Sequence, residues 1–494
     1  MDILEGLSIV FQLNNFLLLA FGVVLGIIVG AIPGLTATLA ISLLLPFTFG
    51  LEATSALIML IGIYCGGIYG GSITAILLRT PGTPGAAATL LDGYPLAQNG
   101  QAGRALGIAT TASFIGGIVS GIFLIFLAPT ISKFALKFSS AEFFALAFFG
   151  LTIIFSVSSG SLLKGAIAGL IGLLVNTVGM DPLVAYPRFT FGIKSLLVGF
   201  PLLPAVIGLF ALTEVFALFR RGVVDEGKVD KKLDRIIPRW SDIKALKWIF
   251  AKCSLIGTFI GALPGAGANI AAFVAYSEAK RTSKHPETFG KGNIEGVAAS
   301  ETANNAVTGG ALIPMLTLGV PGDAVTAVLL GALTIQGLQP GPLLFSDHPE
   351  VVNSIFASVL VANVVMLITG LTLATLIARI ASIRKTILVP VIAIFSLLGA
   401  FASEGSLIHM RIAILFGIIG YILERNGFPL APIALAIVMG TLAEKNFRTA
   451  LIRAEGSYSI FFGSPISIFF LAIAVASIIY SLYTQIKSNK AKES

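Results

Sequence analysis

Long apolar runs, separated by short polar stretches, fill almost the whole chain. A helix needs about 20 apolar residues to cross the hydrocarbon core of a bilayer, and several of these runs are shorter and end at Pro-Gly pairs. The pattern predicts an all-α, polytopic membrane protein with about ten to twelve spans, in which the short runs form broken helices or re-entrant hairpins. The runs lie at 14–32, 37–50, 55–79, 105–128, 141–158, 161–178, 192–219, 248–263, 268–279, 297–318, 324–337, 352–380, 386–402, 408–424, 429–442 and 458–484.

The longest polar interruption divides the chain into two halves. It covers 220–247 and is rich in arginine and lysine, and the end of the chain at 487–494 is also basic. Positive charge favours the cytoplasmic side of a membrane, so we expect both segments to be cytoplasmic. We therefore predict a first transmembrane repeat at 1–219, a cytoplasmic linker, a second transmembrane repeat at 248–486 and a basic cytoplasmic tail.

The prediction of a repeat depends on short matches between the halves. An internal duplication of this size is typical of secondary transporters. The matches leave open whether the two repeats are parallel or inverted. In order along the chain, Gly30-Ala-Ile-Pro33-Gly34 recurs as Gly261-Ala-Leu-Pro264-Gly265, Pro84-Gly85 recurs as Pro321-Gly322, and Gly160-Ser161-Leu162 recurs as Gly405-Ser406-Leu407.

The composition excludes a soluble protein of this size. Of the 494 residues, 56% are hydrophobic and 11% are charged, whereas soluble domains carry about 45–50% apolar and about 25% charged residues. The mean hydropathy is +0.96. We interpret the net charge of +8 as the basic residues between apolar runs that set the orientation of the chain in the membrane. We therefore expect no nucleic-acid partner. Three histidines and two cysteines are too few and too scattered for a metal site, so we expect no metal and no cofactor.

The strongest candidates for a substrate site are the two Pro-Gly breaks of the first repeat match, Pro33-Gly34 and Pro264-Gly265. Backbone groups that are freed at membrane depth need partners from protein, water or ligand, and the helix that starts after each break directs a partly positive N-terminus that suits a carboxylate. The alternative is a kink that only packs helices. The predicted substrate-binding residues at these breaks are Pro33, Gly34, Leu35, Thr36, Thr38, Pro264, Gly265, Gly267 and Asn269.

A second pair of breaks lies at 79–85 and 318–323. The first of them follows a stretch of small residues that includes Ser72 and Thr74, and we include both as candidate substrate ligands, although helix packing explains most of the neighbouring glycines. Arg79 ends the apolar run. It either binds a substrate carboxylate or lies at the interface with its charge in water.

Four polar residues are candidates for ion coupling. Glu301, Asn304 and Asn305 fall on roughly one helix face, where a carboxylate and amide oxygens would hold Na⁺ or carry a proton. The alternative is a polar helix start near the interface. Asp323 follows the second-half break and is either a cation ligand or an N-cap. Asp181 and Arg188 lie near run ends, and we interpret them as interfacial anchors.

Eight short motifs are distributed along most of the chain. They are Gly30-Ala-Ile-Pro-Gly-Leu-Thr36, Tyr69-Gly-Gly-Ser-Ile-Thr74, Thr80-Pro-Gly-Thr-Pro-Gly85, Asp92-Gly-Tyr-Pro-Leu96, Arg188-Phe-Thr-Phe-Gly192, Gly261-Ala-Leu-Pro-Gly-Ala-Gly267, Gly290-Lys-Gly292 and Gln339-Pro-Gly-Pro342. With these motifs the chain resembles the TctA family of tripartite tricarboxylate transporters, from about Gly22 to about Ser467. The resemblance implies a large permease subunit in the prokaryotic inner membrane, which works with a small membrane subunit and a periplasmic solute-binding protein. It also implies uptake of citrate-like tricarboxylates or other small carboxylates, driven by an Na⁺ or H⁺ gradient.

Two other functions stay open. An ion channel would also use broken helices. A membrane enzyme, such as an intramembrane protease or a lipid transferase, would need a nucleophile and a base that are buried together. His285 and His348 lie in predicted loops and His409 lies near Arg411, so we do not expect an enzyme.

Overall fold

The computed structural model describes residues 2–157, 162–221, 235–380, 385–403 and 405–493. Residues 222–234 of the predicted linker and the match at Gly160-Ser161 lie outside these residues. The helices of the first half are α1 (Ile3–Val10), α2 (Leu13–Ala31), α3 (Ala37–Leu44), α4 (Ala53–Leu78), α5 (Ala87–Gln98), α6 (Ala102–Ala135), α7 (Ser140–Val157), α8 (Leu162–Asn176), α9 (Leu202–Val206) and α10 (Thr213–Arg221).

The helices of the second half continue the numbering. They are α11 (Trp240–Gly261), α12 (Gly267–Thr282), α13 (Ile294–Leu318), α14 (Ala324–Ile335), α15 (Leu344–Asp347), α16 (Pro349–Ile380), α17 (Lys385–Ala402), α18 (Leu407–Arg425), α19 (Ala431–Arg453) and α20 (Pro465–Glu493). Among the described residues, β1 (Gly179–Met180) and β2 (Pro187–Arg188) form one small antiparallel hairpin.

The all-α membrane class is confirmed. Within the described ranges, seven helices are long and apolar enough to cross a membrane, and several apolar helices are shorter. The count of ten to twelve spans stays a prediction. The seven are Leu13–Ala31, Ala53–Leu78, Ala102–Ala135, Leu202–Arg220, Pro349–Ile377, Leu407–Arg425 and Pro465–Tyr483.

Glycines set the closest helix contacts. A Cβ added to Gly30 on α2 would overlap the carbonyl oxygen of Gly67 on α4, and one added to Gly257 on α11 would overlap the carbonyl oxygen of Ala303 on α13. Small residues allow backbones to approach in this way. Helix α2, which leads into the Pro33-Gly34 break, is therefore packed tightly on α4. Helix α11, which leads into the Pro264-Gly265 break, is packed in the same way on α13.

Helices α11 and α12 form a hairpin that turns at 262–266. Lys252 on α11 and Glu278 on α12 form an ion pair of 3.1 Å, although each lies some distance from the turn. The two helices must therefore run antiparallel. This arrangement is a helical hairpin with the Pro264-Gly265 pair at its tip, and its re-entrant character stays a prediction.

The end of α10 and the start of α11 define one side of the molecule, which we call the linker side. Arg104, near the start of α6, forms an ion pair of 2.8 Å with Asp242 at the start of α11, so α6 also begins there. At the other end of this 34-residue helix, Ser132 donates to the carbonyl of Pro342 at 3.1 Å. We call that end the far side.

Helix α2 begins on the far side. The amide of Asn353, near the start of α16, donates to Glu5 on α1 at 2.8 Å, and α16 starts a few residues after Pro342. Because α1 leads directly into α2, the hairpin of α2 and α3 enters from the far side. The hairpin of α11 and α12 enters from the linker side, so the two Pro-Gly tips approach each other from opposite directions.

Candidate functional site

The four chain breaks line one central cavity of about 310 Å³. Helices α3, α12 and α14 begin at its wall, as does the short 3₁₀ turn Pro84–Ala86 that leads into α5. Each helix start carries partial positive charge from backbone amides. The cavity therefore collects several such starts from both halves of the chain. The polar residues at its wall are Thr36, Thr38, Thr83, Asn269 and Asp323, and small residues beside them include Gly85, Gly265 and Gly267.

The start of α12 has no side-chain cap among the described residues, like the 3₁₀ turn at Pro84–Ala86. Thr36, in contrast, caps α3 by accepting from Leu39 N at 3.2 Å. Gly267 opens α12 with a φ of +66°, which a residue with a side chain adopts only with strain. Asn269, two residues further on, also lines the cavity. This helix start has the amides and the polar side chain that an anion would need.

The substrate-binding residues predicted from sequence fall into two groups. Thr36, Thr38, Gly265, Gly267 and Asn269 line the cavity. Pro33, Leu35 and Pro264 are buried in the turns behind it. Gly34 has a φ of +93° and lies against Glu214, because an added Cβ would come within 2.5 Å of its Oε1.

Three further candidates lie outside the cavity wall. Ser72 is buried in α4 and donates to the carbonyl of Tyr69 at 2.8 Å. Thr74 is also fully buried in α4. Arg79 ends α4 in the left-handed conformation, with a φ of +58°, is exposed, and lies over the ring of Tyr94 at 5.6 Å.

Two glycines of the second pair of breaks pack closely on helices that lead into the first pair. A Cβ added to Gly322 would lie 2.6 Å from the carbonyl oxygen of Gly261, and one added to Gly82 would overlap the carbonyl oxygen of Gly30. The repeat match of Pro84-Gly85 with Pro321-Gly322 stays a prediction.

Glu301 lies in a buried polar cluster next to this wall. It is 0% exposed and accepts hydrogen bonds from Thr89 on α5 and, at 3.0 Å, from Ser113 on α6. Asn305 donates to Ser113 at 2.7 Å. Within the described part of the chain, no basic side chain forms an ion pair with Glu301. An unpaired buried carboxylate is costly, and a bound cation or a proton would lower that cost.

Asn304 connects the cluster to the cavity. A Cβ on the cavity residue Gly85 would overlap its Oδ1, and this oxygen is buried without a hydrogen-bond partner among the described residues. Thr83 also lines the cavity, and its hydroxyl is likewise buried without a hydrogen-bond partner among the described residues. Oxygen atoms of this kind are the ligands that hard cations prefer.

Asp323 occupies its N-cap position. Its Oδ1 accepts from the backbone and the hydroxyl of Thr326, each at 2.8 Å, and its Oδ2 accepts from Tyr64 Oη at 2.8 Å. The capping interpretation therefore describes its contacts. It remains at the cavity wall, where its charge is held by three donors.

Some residues of the wall were not predicted. The start of α19 contributes Pro432 and Leu435, and α4 contributes Ile68. Proline is favoured in the first turn of a helix, so Pro432 was a usable signal for a helix start. Ile68 had no such signal, because its place in the wall depends on tertiary packing.

A helical membrane chain with broken helices that meet at one central cavity has the architecture of a secondary transporter. Residues 16–435 match the model of the tripartite tricarboxylate transporter TctA family. The chain belongs to this family, which is a family of transporters.

Two relatives come from Agrobacterium vitis. An uncharacterized 52.8 kDa protein in the TAR-I ttuC' 3' region is 37% identical over 499 residues, which cover 100% of this chain and 99% of the relative. An uncharacterized protein in the TAR-II ttuC' 3' region is 37% identical over 234 residues, which cover 47% of this chain and 97% of the relative.

Proposed function

We propose that this chain is the permease subunit of a secondary transporter that uses an ion gradient to import small carboxylates, citrate-like tricarboxylates among them. The observation that carries the proposal is the central cavity of about 310 Å³ with several helix starts in its wall. Its size is at the lower end of the range for small-molecule sites, about 300–1,000 Å³. Partial positive charge from several directions favours an anion over a neutral solute.

The carboxylate binds at the start of α12 in this proposal. Amides of its first turn and the side chain of Asn269 hold one carboxylate group, and the hydroxyls of Thr36 and Thr38 hold another from the opposite hairpin. Pro33, Gly34, Leu35 and Pro264 shape the two tips. Ser72, Thr74 and Arg79 lie outside the wall and act on the shape of α4 rather than on the substrate.

The coupling ion binds beside the substrate, between α5 and α13. Asn304 Oδ1 and Thr83 Oγ1 are oxygen ligands for Na⁺, and Glu301 and Asn305 complete the charged cluster behind them. A proton on Glu301 would satisfy the same buried carboxylate, so the proposed ion is Na⁺ or H⁺. Asp323 positions the start of α14.

The two halves form inverted repeats in this proposal, because their hairpins enter from opposite sides. Movement of one half against the other would expose the site alternately. The basic linker at 220–247 and the tail at 487–494 place the linker side in the cytoplasm. The far side then faces the periplasm of a prokaryotic inner membrane, where a solute-binding protein delivers the carboxylate, and a small membrane subunit completes the assembly.

Uptake of radiolabelled citrate into proteoliposomes tests the proposal, with purified chain alone and with the two companion subunits. We expect saturable uptake that depends on an inward Na⁺ or H⁺ gradient. Uptake of another carboxylate would change the substrate and keep the mechanism. Conductance far above transporter turnover would support a channel, and hydrolysis of a peptide or lipid substrate would support an enzyme; either result without carboxylate uptake would overturn the proposal.

A further inference from the structure

A second cavity of about 650 Å³ lies apart from the proposed substrate site. Its wall includes the loop between α8 and α9 and the later turns of α14 and α19. That loop is on the far side, because the helix that starts at Leu202 ends at Arg221 on the linker side. We call this space the outer cavity.

Charged and polar side chains form part of its wall. Arg188, on β2, donates through both terminal nitrogens to Glu444 on α19. Asn176, Thr334 and Thr441 lie in the same wall. A guanidinium with an amide and hydroxyls is the set of donors that a carboxylate needs. The buried Nε of Arg188 has no hydrogen-bond partner among the described residues.

Arg188 has two resident carboxylate partners, because it donates to Glu444 and also lies 3.5 Å from Asp181. Glu444 has a second cation within reach. Glu444 lies 3.4 Å from Arg448 on the same helix. Arg448 also donates to Asp181, and this bond holds the pKa of the Asp181 carboxyl well below its usual range, so Asp181 stays ionised. An incoming carboxylate would replace Glu444 on Arg188, while Glu444 would keep Arg448. The exchange preserves the number of ion pairs.

The outer cavity and the central cavity share two walls. Val325 of α14 and Leu435 of α19 line the central cavity, whereas Thr334 and Thr441 on the same helices line the outer cavity. At about 1.5 Å per residue along a helix, the two spaces are separated by roughly 10 Å. A ligand in the outer cavity is therefore on the direct route from the far side to the helix starts.

We propose that the outer cavity is a second binding site for small carboxylates, at which Arg188 takes the incoming anion in exchange for Glu444. The inference rests on the proposed function, since it assigns the first contact of the same substrate. It differs from the interpretation of Arg188 as an interfacial anchor, because an anchor would only need its ion pair for stability.

Two substitutions separate these roles by the sign of their effects. Glu444→Gln removes the carboxylate that occupies both terminal nitrogens of Arg188 and leaves only the 3.5 Å ion pair with Asp181, so we expect the KM for citrate uptake to fall about threefold. Arg188→Gln should raise the KM about tenfold through loss of a charge-assisted bond. The double variant should behave like Arg188→Gln, since the gain requires the guanidinium. A purely structural ion pair predicts that Glu444→Gln does not lower KM, and that result would overturn the inference.

Equilibrium binding separates this inference from the proposed function. Asn269→Leu puts an apolar side chain into the central cavity at the start of α12, and radiolabelled citrate and succinate are then bound to purified full-length protein. We expect residual binding that Glu444→Gln strengthens and Arg188→Gln abolishes. If the wild type binds either probe but Asn269→Leu proteins with the wild-type melting temperature bind none, the outer site is disproved and the central site stands. If the wild type binds and transports neither probe, both the proposed function and the outer site are disproved.

Discussion

The backbone amide of Gly265 donates to the carbonyl of Gly322 at 2.8 Å. This bond joins the tip of the α11–α12 hairpin to the break that precedes α14. Both residues lie where a helix start meets the central cavity, so one backbone contact fixes the relative position of two of its walls. Gly265 has a φ of +79°, in the left-handed region that favours glycine.

Gly265→Ala should therefore damage transport more than folding. A Cβ at this φ costs about 1 kcal/mol or more of strain, and relief of the strain would rotate the amide away from Gly322. We expect the initial rate of citrate uptake to fall at least about tenfold, since small shifts of positioning groups have large effects. Gly100→Ala is the matched control, because Gly100 has the same φ of +79° but has no atom within 4 Å of an added Cβ. Equal losses of uptake in the two variants would contradict this account.

The hydroxyl of Thr83 provides a test of the cation site. Removal of a buried hydroxyl that has no partner should be neutral or stabilising, so Thr83→Val should leave the melting temperature unchanged or raised. If Thr83 ligates Na⁺, the same change should raise the Na⁺ concentration for half-maximal uptake about tenfold. This corresponds to a loss of about 1.4 kcal/mol of Na⁺ binding free energy with the lost ligand. The combination of normal stability and weaker cation dependence is specific to a ligand.

Thr74→Val is the control for this experiment. Its hydroxyl is also buried without a partner among the described residues, but it lies in α4 away from the cavity wall. We expect no change in Na⁺ dependence. A similar shift in both variants would assign the effect to general packing and remove Thr83 from the site.

The pattern of breaks was predictable because it is local. Proline narrows the range of backbone conformations and glycine widens it wherever they occur. The cavity positions of Thr36, Gly265 and Asn269 therefore follow from the residues beside them. The opposite entry of the two hairpins was not predictable. It depends on contacts such as Glu5 with Asn353, which join distant parts of the chain.

Single charged residues were harder to place than breaks. Arg79 follows an apolar run and precedes a break, and both features suggest a substrate ligand. The left-handed end of α4 directs it away from the cavity instead, to the ring of Tyr94. Arg188 and Glu444 are 256 residues apart, and no sequence pattern indicated that they meet.

Tyr64 should contribute to stability through Asp323. The phenol is one of three donors to this buried carboxylate, so Tyr64→Phe leaves one acceptor with fewer partners at a cost of about 1–3 kcal/mol. We expect a lower melting temperature with an unchanged Na⁺ dependence, since Asp323 acts as a cap. Tyr69→Phe, at a buried phenol bonded to Thr110, is the control for loss of a buried hydroxyl. A change in Na⁺ dependence for Tyr64→Phe alone would instead make Asp323 a cation ligand.

Glu301 should couple the ion gradient to net transport. Glu301→Gln keeps the shape of the side chain and one acceptor for Thr89 or Ser113, but removes the charge that requires a cation or a proton. We expect accumulation of citrate against its gradient to be lost, while exchange of internal for external citrate continues, because exchange needs no net movement of the coupling ion. Glu5→Gln is the control, since Glu5 also accepts from a side-chain amide but lies on the far side. Gradient-driven accumulation at the wild-type level in Glu301→Gln would exclude Glu301 from coupling and leave Asn304 and Thr83 as the proposed ion ligands.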